Sequence, residues 1–183
     1  MALFLITGMS GAGKTSVMDD IKNRMKYGLS ECVSHTTRNK RDGEKHGISY
    51  YFISEDKFQE GFDNNQFAET VEYDGYRYGV AKDEIRNKQL TTSHTYIIVN
   101  YEGYKQVKET FPDAIGIFLY ATREECMMNM LSRGDSIDKA NKRIELYDDE
   151  IKNRHDYDYV IKNVHGKKSE TVRIIENIIW QYS

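Results

Sequence analysis

Short apolar runs of strand length recur along the chain at Ala2–Thr7, Glu31–His35, Thr95–Asn100, Ile115–Tyr120 and Tyr159–Lys162. Between them the period of the pattern changes to that of a helix. After Lys14, the residues Val17, Met18, Ile21 and Met25 fall on one helical face. Thr122 followed by Glu125 is a capping-box pattern and predicts a helix with Met127, Met130 and Leu131 turned inward. Ile174, Ile175, Ile178 and Ile179 make a similar stripe near the end. Apolar strands alternating with amphipathic helices predict an α/β fold, a parallel sheet covered on both faces. From Tyr50 to Tyr78 the pattern shifts toward period 2: Phe67, Val71 and Tyr73 are apolar on alternate positions, and Asp74-Gly75 offers a hairpin turn before Tyr76-Arg77-Tyr78. Phe58 and Phe62 predict a short helix just ahead of it. A small antiparallel lobe inserted into a doubly wound core is therefore expected, with the polar segment Ser132–Lys142 as a mobile arm between two helices.

Composition narrows this picture. The chain has 183 residues with one proline and no linker-like tract, which suits one continuous domain. With 26 Lys+Arg against 29 Asp+Glu the net charge is −3, so no uniformly basic nucleic-acid surface is expected. No apolar run approaches the roughly 20 residues of a membrane span. The opening run lacks a basic leader and stops at Gly8, so no signal peptide is expected either. Cys32 and Cys126 form no disulfide framework, and the five histidines have no ligand spacing. A reducing, cytoplasmic setting follows as the expectation; nothing fixes an oligomeric state.

The chemistry begins at Gly8-Met9-Ser10-Gly11-Ala12-Gly13-Lys14-Thr15, which matches the phosphate-binding P-loop pattern between a strand and an amphipathic helix. Such a loop turns backbone N–H groups onto phosphate oxygens, and the helix N-terminus, continuing through Ser16, adds a favourable dipole. Lys14 is expected to reach the outer phosphates and Thr15 to hold Mg²⁺ through its hydroxyl. Arg38 and Arg41 lie three apart after the second strand, and Tyr50 and Tyr78 follow. Guanidinium forks and phenol hydroxyls suit a second anionic substrate, which makes the protein a phosphoryl transferase. Asn39-Lys40-Arg41-Asp42 spells a guanine-reading signature of GTPases, but it precedes most of the sheet and is read as coincidence.

At this point the residues resemble the guanylate kinase family over essentially the whole chain. The P-loop is similar to the family's G-P-S-G-x-G-K-[ST], and Ser34-His35-Thr36-Thr37-Arg38-Asn39-Lys40-Arg41-Asp42-Gly43-Glu44 to its S-x-T-T-R-x-x-R-x-G-E. Gly47 to Phe52 resembles G-x-x-Y-x-F, Phe67-Ala68-Glu69 resembles F-x-E, and Tyr78-Gly79 and Gly103 to Lys108 also resemble family elements. Arg133-Gly134 and Asn141-Lys142-Arg143 look like its lid, and Asp158 to Asn163 like its D-x-V-I-x-N.

The resemblance implies a core of residues 1–32, 82–122 and 146–183, a nucleoside-monophosphate lobe at 33–81 and a lid at 123–145. It implies ATP on the P-loop, with Asn163 beside it, and GMP or dGMP in the lobe. Arg38, Arg41, Tyr50 and Tyr78 would hold the acceptor phosphate, Ser34 and Glu69 would read the base with Asn100 also in the acceptor site, and Arg133 and Arg143 would swing in with the lid to join Lys14 and Arg38 in catalysis. A carboxylate at Glu69 can accept two hydrogen bonds from the N1–H and N2–H₂ edge of guanine. Four departures stand out: Val80 where the family has Ser or Thr, Ile98-Val99-Asn100 for D-x-D, Asn129 for an arginine, and a lid about one residue short. The loss of polarity at Val80 and of charge at Asn100 keeps another (deoxy)nucleoside monophosphate in view as acceptor. A catalytically silent binding module of the same fold is opposed by the intact Lys14-Thr15 and the arginine pair.

Overall fold

The first apolar run forms the middle of the main sheet. The computed structural model describes residues 1–26 and 28–183. In chain order its elements are β1 (Ala2–Thr7), α1 (Lys14–Arg24), β2 (Leu29–Glu31), β3 (His35–Thr36), β4 (Tyr51–Phe52), α2 (Glu55–Asp63), β5 (Phe67–Tyr73) and β6 (Tyr76–Ala81). There follow α3 (Lys82–Thr91), β7 (His94–Ile98), α4 (Tyr101–Thr110), β8 (Ile115–Tyr120), α5 (Arg123–Ser132), α6 (Ile137–Glu145), α7 (Tyr147–Lys152), a 3₁₀ turn at Asn153–Asp156, β9 (Tyr159–Lys162) and α8 (Lys168–Trp180).

Five parallel strands lie in the order β2-β7-β1-β8-β9. Alternate residues of β1 supply two separate cores, as the period of a strand requires. Leu3 and Leu5 pack with Ile85, Val107 and Phe118; Phe4 and Ile6 pack with Val17, Ile21, Val172 and Ile175 from α1 and α8. The chain runs from β1 toward β2 and β7 on one side and reaches β8 and β9 on the other. The turn after β1 thus sits at a topological switch point, where open α/β sheets bind ligands.

The second sheet has the order β4-β3-β6-β5. It is mixed rather than antiparallel throughout, because β3 pairs parallel with β4 while β3–β6 and β5–β6 are antiparallel. The Asp74-Gly75 hairpin forms as expected, with positive φ at both residues, the signature of a type I′ turn. The strand expected over Glu31–His35 divides between the two sheets. Cys32 N–H still donates to Tyr96 of the main sheet at 3.0 Å, but Val33 N–H donates to the Glu84 carboxylate at 3.0 Å, and the chain leaves for β3. Glu84 also accepts from the Tyr51 hydroxyl, so one carboxylate joins both sheets at the crossing.

Two helical faces match expectation in part, with Met130 of α5 and Ile175, Ile178 and Ile179 of α8 buried as expected. Cys126 and Met130 are the buried residues of α5 and Leu131 is exposed; Val172 and Thr171 face inward from α8 while Ile174 is exposed. The polar arm contains a helix, α6, capped by the Ser136 hydroxyl on Lys139 N–H and burying Ala140. Among the described residues no helix is long and apolar enough to cross a membrane.

Candidate active site

The turn from Gly8 to Gly13 is shaped by what surrounds it. A Cβ on Gly8 would lie 1.8 Å from the Leu119 carbonyl oxygen, and one on Gly13 would lie 2.6 Å from Asn163 Nδ2; both residues have positive φ. Only glycine fits there. Met9 and Ala12 turn their side chains into the core, so they offer backbone alone to a ligand. The loop's outward carbonyls are held from outside. Asn163 Nδ2 donates to Ala12 O at 2.9 Å, its Oδ1 accepts from the Thr171 hydroxyl at 2.9 Å, and Asn129 Nδ2 donates to Gly11 O at 2.8 Å. Lys14 Nζ folds back onto the carbonyls of Gly8 and Met9. Lys168 takes the Ser16 hydroxyl at 2.9 Å and pairs with Asp20 at 2.7 Å. Ser10, Gly11, Gly13, Lys14, Thr15 and Ser16 line a cavity of about 770 Å³ that reaches Asn163 and His165.

A second cavity, of about 570 Å³, opens between the small sheet and the end of β7. Ser34, Arg38, Arg41, Tyr50, Glu69, Tyr78 and Asn100 all line it, so the expected second set converges. Arg38 is only 7% exposed, and it is held rigidly. Its guanidinium donates to Asn39 O at 2.8 Å and to Glu44 at 2.6 Å, and lies 5.5 Å from the Tyr50 ring centroid. The other Glu44 oxygen accepts from Arg41 N–H at 2.8 Å, tying both arginines to one carboxylate. That pairing, chiefly the Arg38 hydrogen bond, lowers the Glu44 pKa. The GTPase-like tetrapeptide forms part of this arginine loop.

Glu69 is 5% exposed. Burial pushes its pKa up to about 7, with only the Val80 backbone N–H opposing the rise. The strand has a bulge between Phe67 and Glu69, so its two ends face differently. Glu69, Val71 and Tyr73 line the cavity while Phe67 stacks on Phe58 at 4.6 Å; the expected alternation of Phe67 with Val71 and Tyr73 is corrected. Gly103 leaves room for the carboxylate, since a Cβ there would lie 3.1 Å from Glu69 Oε2. Asn100 Oδ1 accepts from Gly103 N–H at 2.8 Å, so this residue caps α4 as well as lining the cavity. The Val80 side chain is wholly buried in the core.

Arg133 and Arg143 line both cavities. They stand where a group leaving one cavity would enter the other. Arg133 is paired with Asp135 through Nε at 3.0 Å and Nη2 at 2.6 Å; Arg143 donates to the Tyr73 hydroxyl. Burial pulls the Lys14 pKa down to about 8, opposed chiefly by the charge of Glu150. Glu150 itself is raised by burial and lowered by Lys14 and Arg143.

Several of these contacts escape sequence reasoning: Asn129 on the loop, Asp135 and Tyr73 on Arg133 and Arg143, and Lys139 in the second cavity. Glu150 lies on α7, the element that follows Arg143's α6. Among the described residues no group of three or more His, Cys, Asp or Glu could cage a metal. Thr15 and Asp19 line the first cavity together. A hydroxyl and a carboxylate beside a phosphate loop suit a hard cation held mainly by phosphate oxygens and water, as Mg²⁺ is.

Comparison with known proteins agrees with this geometry. The family model described as guanylate kinase matches residues 1–182. A guanylate kinase of Prochlorococcus marinus subsp. pastoris is 34% identical over 179 residues, 97% of this chain and 96% of its own. One from Geobacter metallireducens is 31% identical over 191 residues, covering 96% and 94%. The crystal structure of guanylate kinase from Anaplasma phagocytophilum superposes with a TM-score of 0.72 at 25% identity, covering 98% of this chain and 85% of that one.

Proposed function

This chain belongs to the guanylate kinase family and transfers a phosphoryl group from ATP to GMP, and we propose how its own residues divide that work. The observation that carries the assignment is the sharing of Arg133 and Arg143 by two cavities, one built on a P-loop and one on an arginine clamp. ATP takes the first cavity, with its phosphates on the backbone of Gly8 to Thr15. GMP takes the second, with its phosphate toward Arg38, Arg41, Tyr50 and Tyr78 and its base toward Ser34, Glu69 and Asn100. Residues 33–81 then act as the acceptor lobe and 123–145 as the lid, on a core made of the rest.

Phosphoryl transfer needs alignment and charge neutralisation more than a proton acceptor. Lys14 leaves the loop carbonyls for the outer phosphates of ATP. The two lid arginines meet the charge on the transferring group. Arg38 presents its fork from a fixed position, because Glu44 and the Tyr50 ring hold it. Thr15 would hold Mg²⁺ with the phosphates, and the ion would supply positive charge to them. Closing the lid over both cavities keeps water from the reaction.

Glu69 explains how guanine is chosen without a hydroxyl at Val80. A buried carboxylate lacking a strong partner is costly, and the N1–H and N2–H₂ donors of guanine relieve that cost, whereas adenine has no matching pair. The test is ADP release from Mg·ATP with GMP, dGMP, AMP, dTMP, UMP and CMP in turn. Stimulation by GMP and dGMP alone is expected. Turnover with another monophosphate, or with none, would overturn the reading.

The clamp gives a second expectation. Arg38→Ala should raise the KM for GMP by about 100-fold or more, since a fork on phosphate makes charge-assisted hydrogen bonds of about 1.5–3 kcal/mol each. Arg38→Lys keeps the charge and loses the fork, so about tenfold is expected. The KM for ATP should stay within about twofold in both. Steady-state kinetics with each substrate varied measures this, and an unchanged KM for GMP would remove Arg38 from the clamp.

A further inference from the structure

We propose that Tyr73 is a positioning residue for the transfer, its phenol holding lid residue Arg143 at the boundary of the two cavities. This rests on the reading above, that GMP occupies the cavity beside Tyr73 and ATP the one beside Lys14.

Tyr73 ends β5 immediately before the type I′ turn and pairs with Tyr76 across it. Its side chain shares a strand face with Val71 and Glu69, so its position is fixed relative to the residue that faces the base. At 47% exposure the ring is not there to fill a core. What it meets is Arg143, which comes from the last turn of α6 and lies 70 positions further along the chain. Arg143 Nη2 donates to Tyr73 Oη, and the guanidinium carbon lies 5.4 Å from the ring centroid. Hairpin and lid are joined by a hydrogen bond and a cation–π contact at one point.

The chemistry of the partner matters. Arg133 rests on a carboxylate, which offsets part of its charge. Arg143 rests on a phenol, which orients one N–H without a salt bridge at that contact, while the carboxylates of Glu150 and Asp135 feel its charge from further off. A guanidinium has five N–H donors, so one can stay on Tyr73 while others reach phosphate. Tyr73 thus lowers the number of orientations Arg143 must search without competing for its charge.

The test compares Tyr73→Phe, which removes the hydroxyl, with Tyr73→Ala, which removes the ring as well. A positioning role predicts kcat lower by about threefold in the first and about tenfold in the second. The KM values for GMP and ATP and the melting temperature should be little changed. In an Arg143→Ala background, Tyr73→Ala should lower kcat no further, because its effect passes through that arginine. An unchanged kcat, a loss shared equally with the KM for GMP, or an undiminished effect without Arg143 would overturn the proposal. If the wild-type protein turns over no GMP, the functional reading fails instead. Hydrogen exchange without nucleotide then decides on Tyr73: loss of amide protection across residues 137–145 in Tyr73→Ala supports the latch, and unchanged protection overturns it.

Discussion

Replacing Lys14 with alanine is expected to lower kcat by about three orders of magnitude, the scale for removing a positioned positive group from a phosphoryl-transfer site. The KM for GMP should stay within about threefold, because Lys14 lines the P-loop cavity and not the one that holds Arg38 and Glu69. The wild-type pH profile carries a second signature. With a pKa drawn down to about 8 by burial, Lys14 is half deprotonated near that pH in the free enzyme. kcat/KM for ATP should therefore fall above about pH 8. A bound triphosphate favours the ammonium, so kcat itself should hold to higher pH. Alanine at this position should abolish the alkaline limb in whatever activity remains. Folding supplies a control with the opposite sign. A lysine whose folded pKa lies below its ordinary value destabilises the fold while it is charged, so Lys14→Met should melt at or above the wild-type temperature near pH 7. Initial rates of ADP release from pH 6 to 9.5 measure the first part and thermal melts the second. An alkaline limb that survives in Lys14→Ala would assign it to another group.

What the sequence revealed about this site is what is local. The strand, glycine turn and helix of the P-loop occupy one contiguous stretch, and the Asp74-Gly75 hairpin needs only its own two positive φ values. The clamp residues were legible as a motif, because Arg38, Arg41 and Glu44 are close in sequence. What was hidden depends on partners far along the chain. The break between β2 and β3 is set by Glu84, 51 residues after Val33. Asn129 reaches Gly11 across 118 positions, which no pattern on either segment announces. On α8 only Ile174 departs from the expected stripe, because Ile174 and Ile175 are equally apolar and packing against α1 decides that Ile175 is inside. The bulge ahead of Glu69 breaks a period-2 pattern, so Phe67 was counted on the wrong face.

Glu69→Gln is expected to stabilise the empty protein and cripple its recognition of GMP. The carboxyl has a folded pKa of about 7 against an ordinary 4.5. A raised folded pKa means that the stability of the protonated form is full below the ordinary value and is lost as pH climbs through about 7. At pH 8 the ionised carboxylate therefore costs the empty fold about 3 kcal/mol at 1.36 kcal/mol per unit. Glutamine carries no charge to desolvate, and at pH 8 its melting temperature should exceed wild type by about 5 °C or more. The gap should close toward pH 5, where Glu69 is protonated. GMP reverses the preference. Its N1–H and N2–H₂ donors need an acceptor with two oxygens, so binding favours the ionised form and pulls the pKa down. Affinity should rise by about tenfold from pH 6 to pH 8 as the free carboxyl ionises. The GMP phosphate also ionises near pH 6, so the glutamine variant is the reference: the difference between the two profiles isolates residue 69. An amide turns one donor toward the donors of guanine, leaving a buried mismatch, and the KM for GMP should rise by about 100-fold. A variant that melted higher yet kept its KM for GMP would place the base away from Glu69. On this proposal the same burial that strains the empty fold is the source of discrimination, because only a ligand with two convergent N–H groups returns what the carboxylate loses on leaving water.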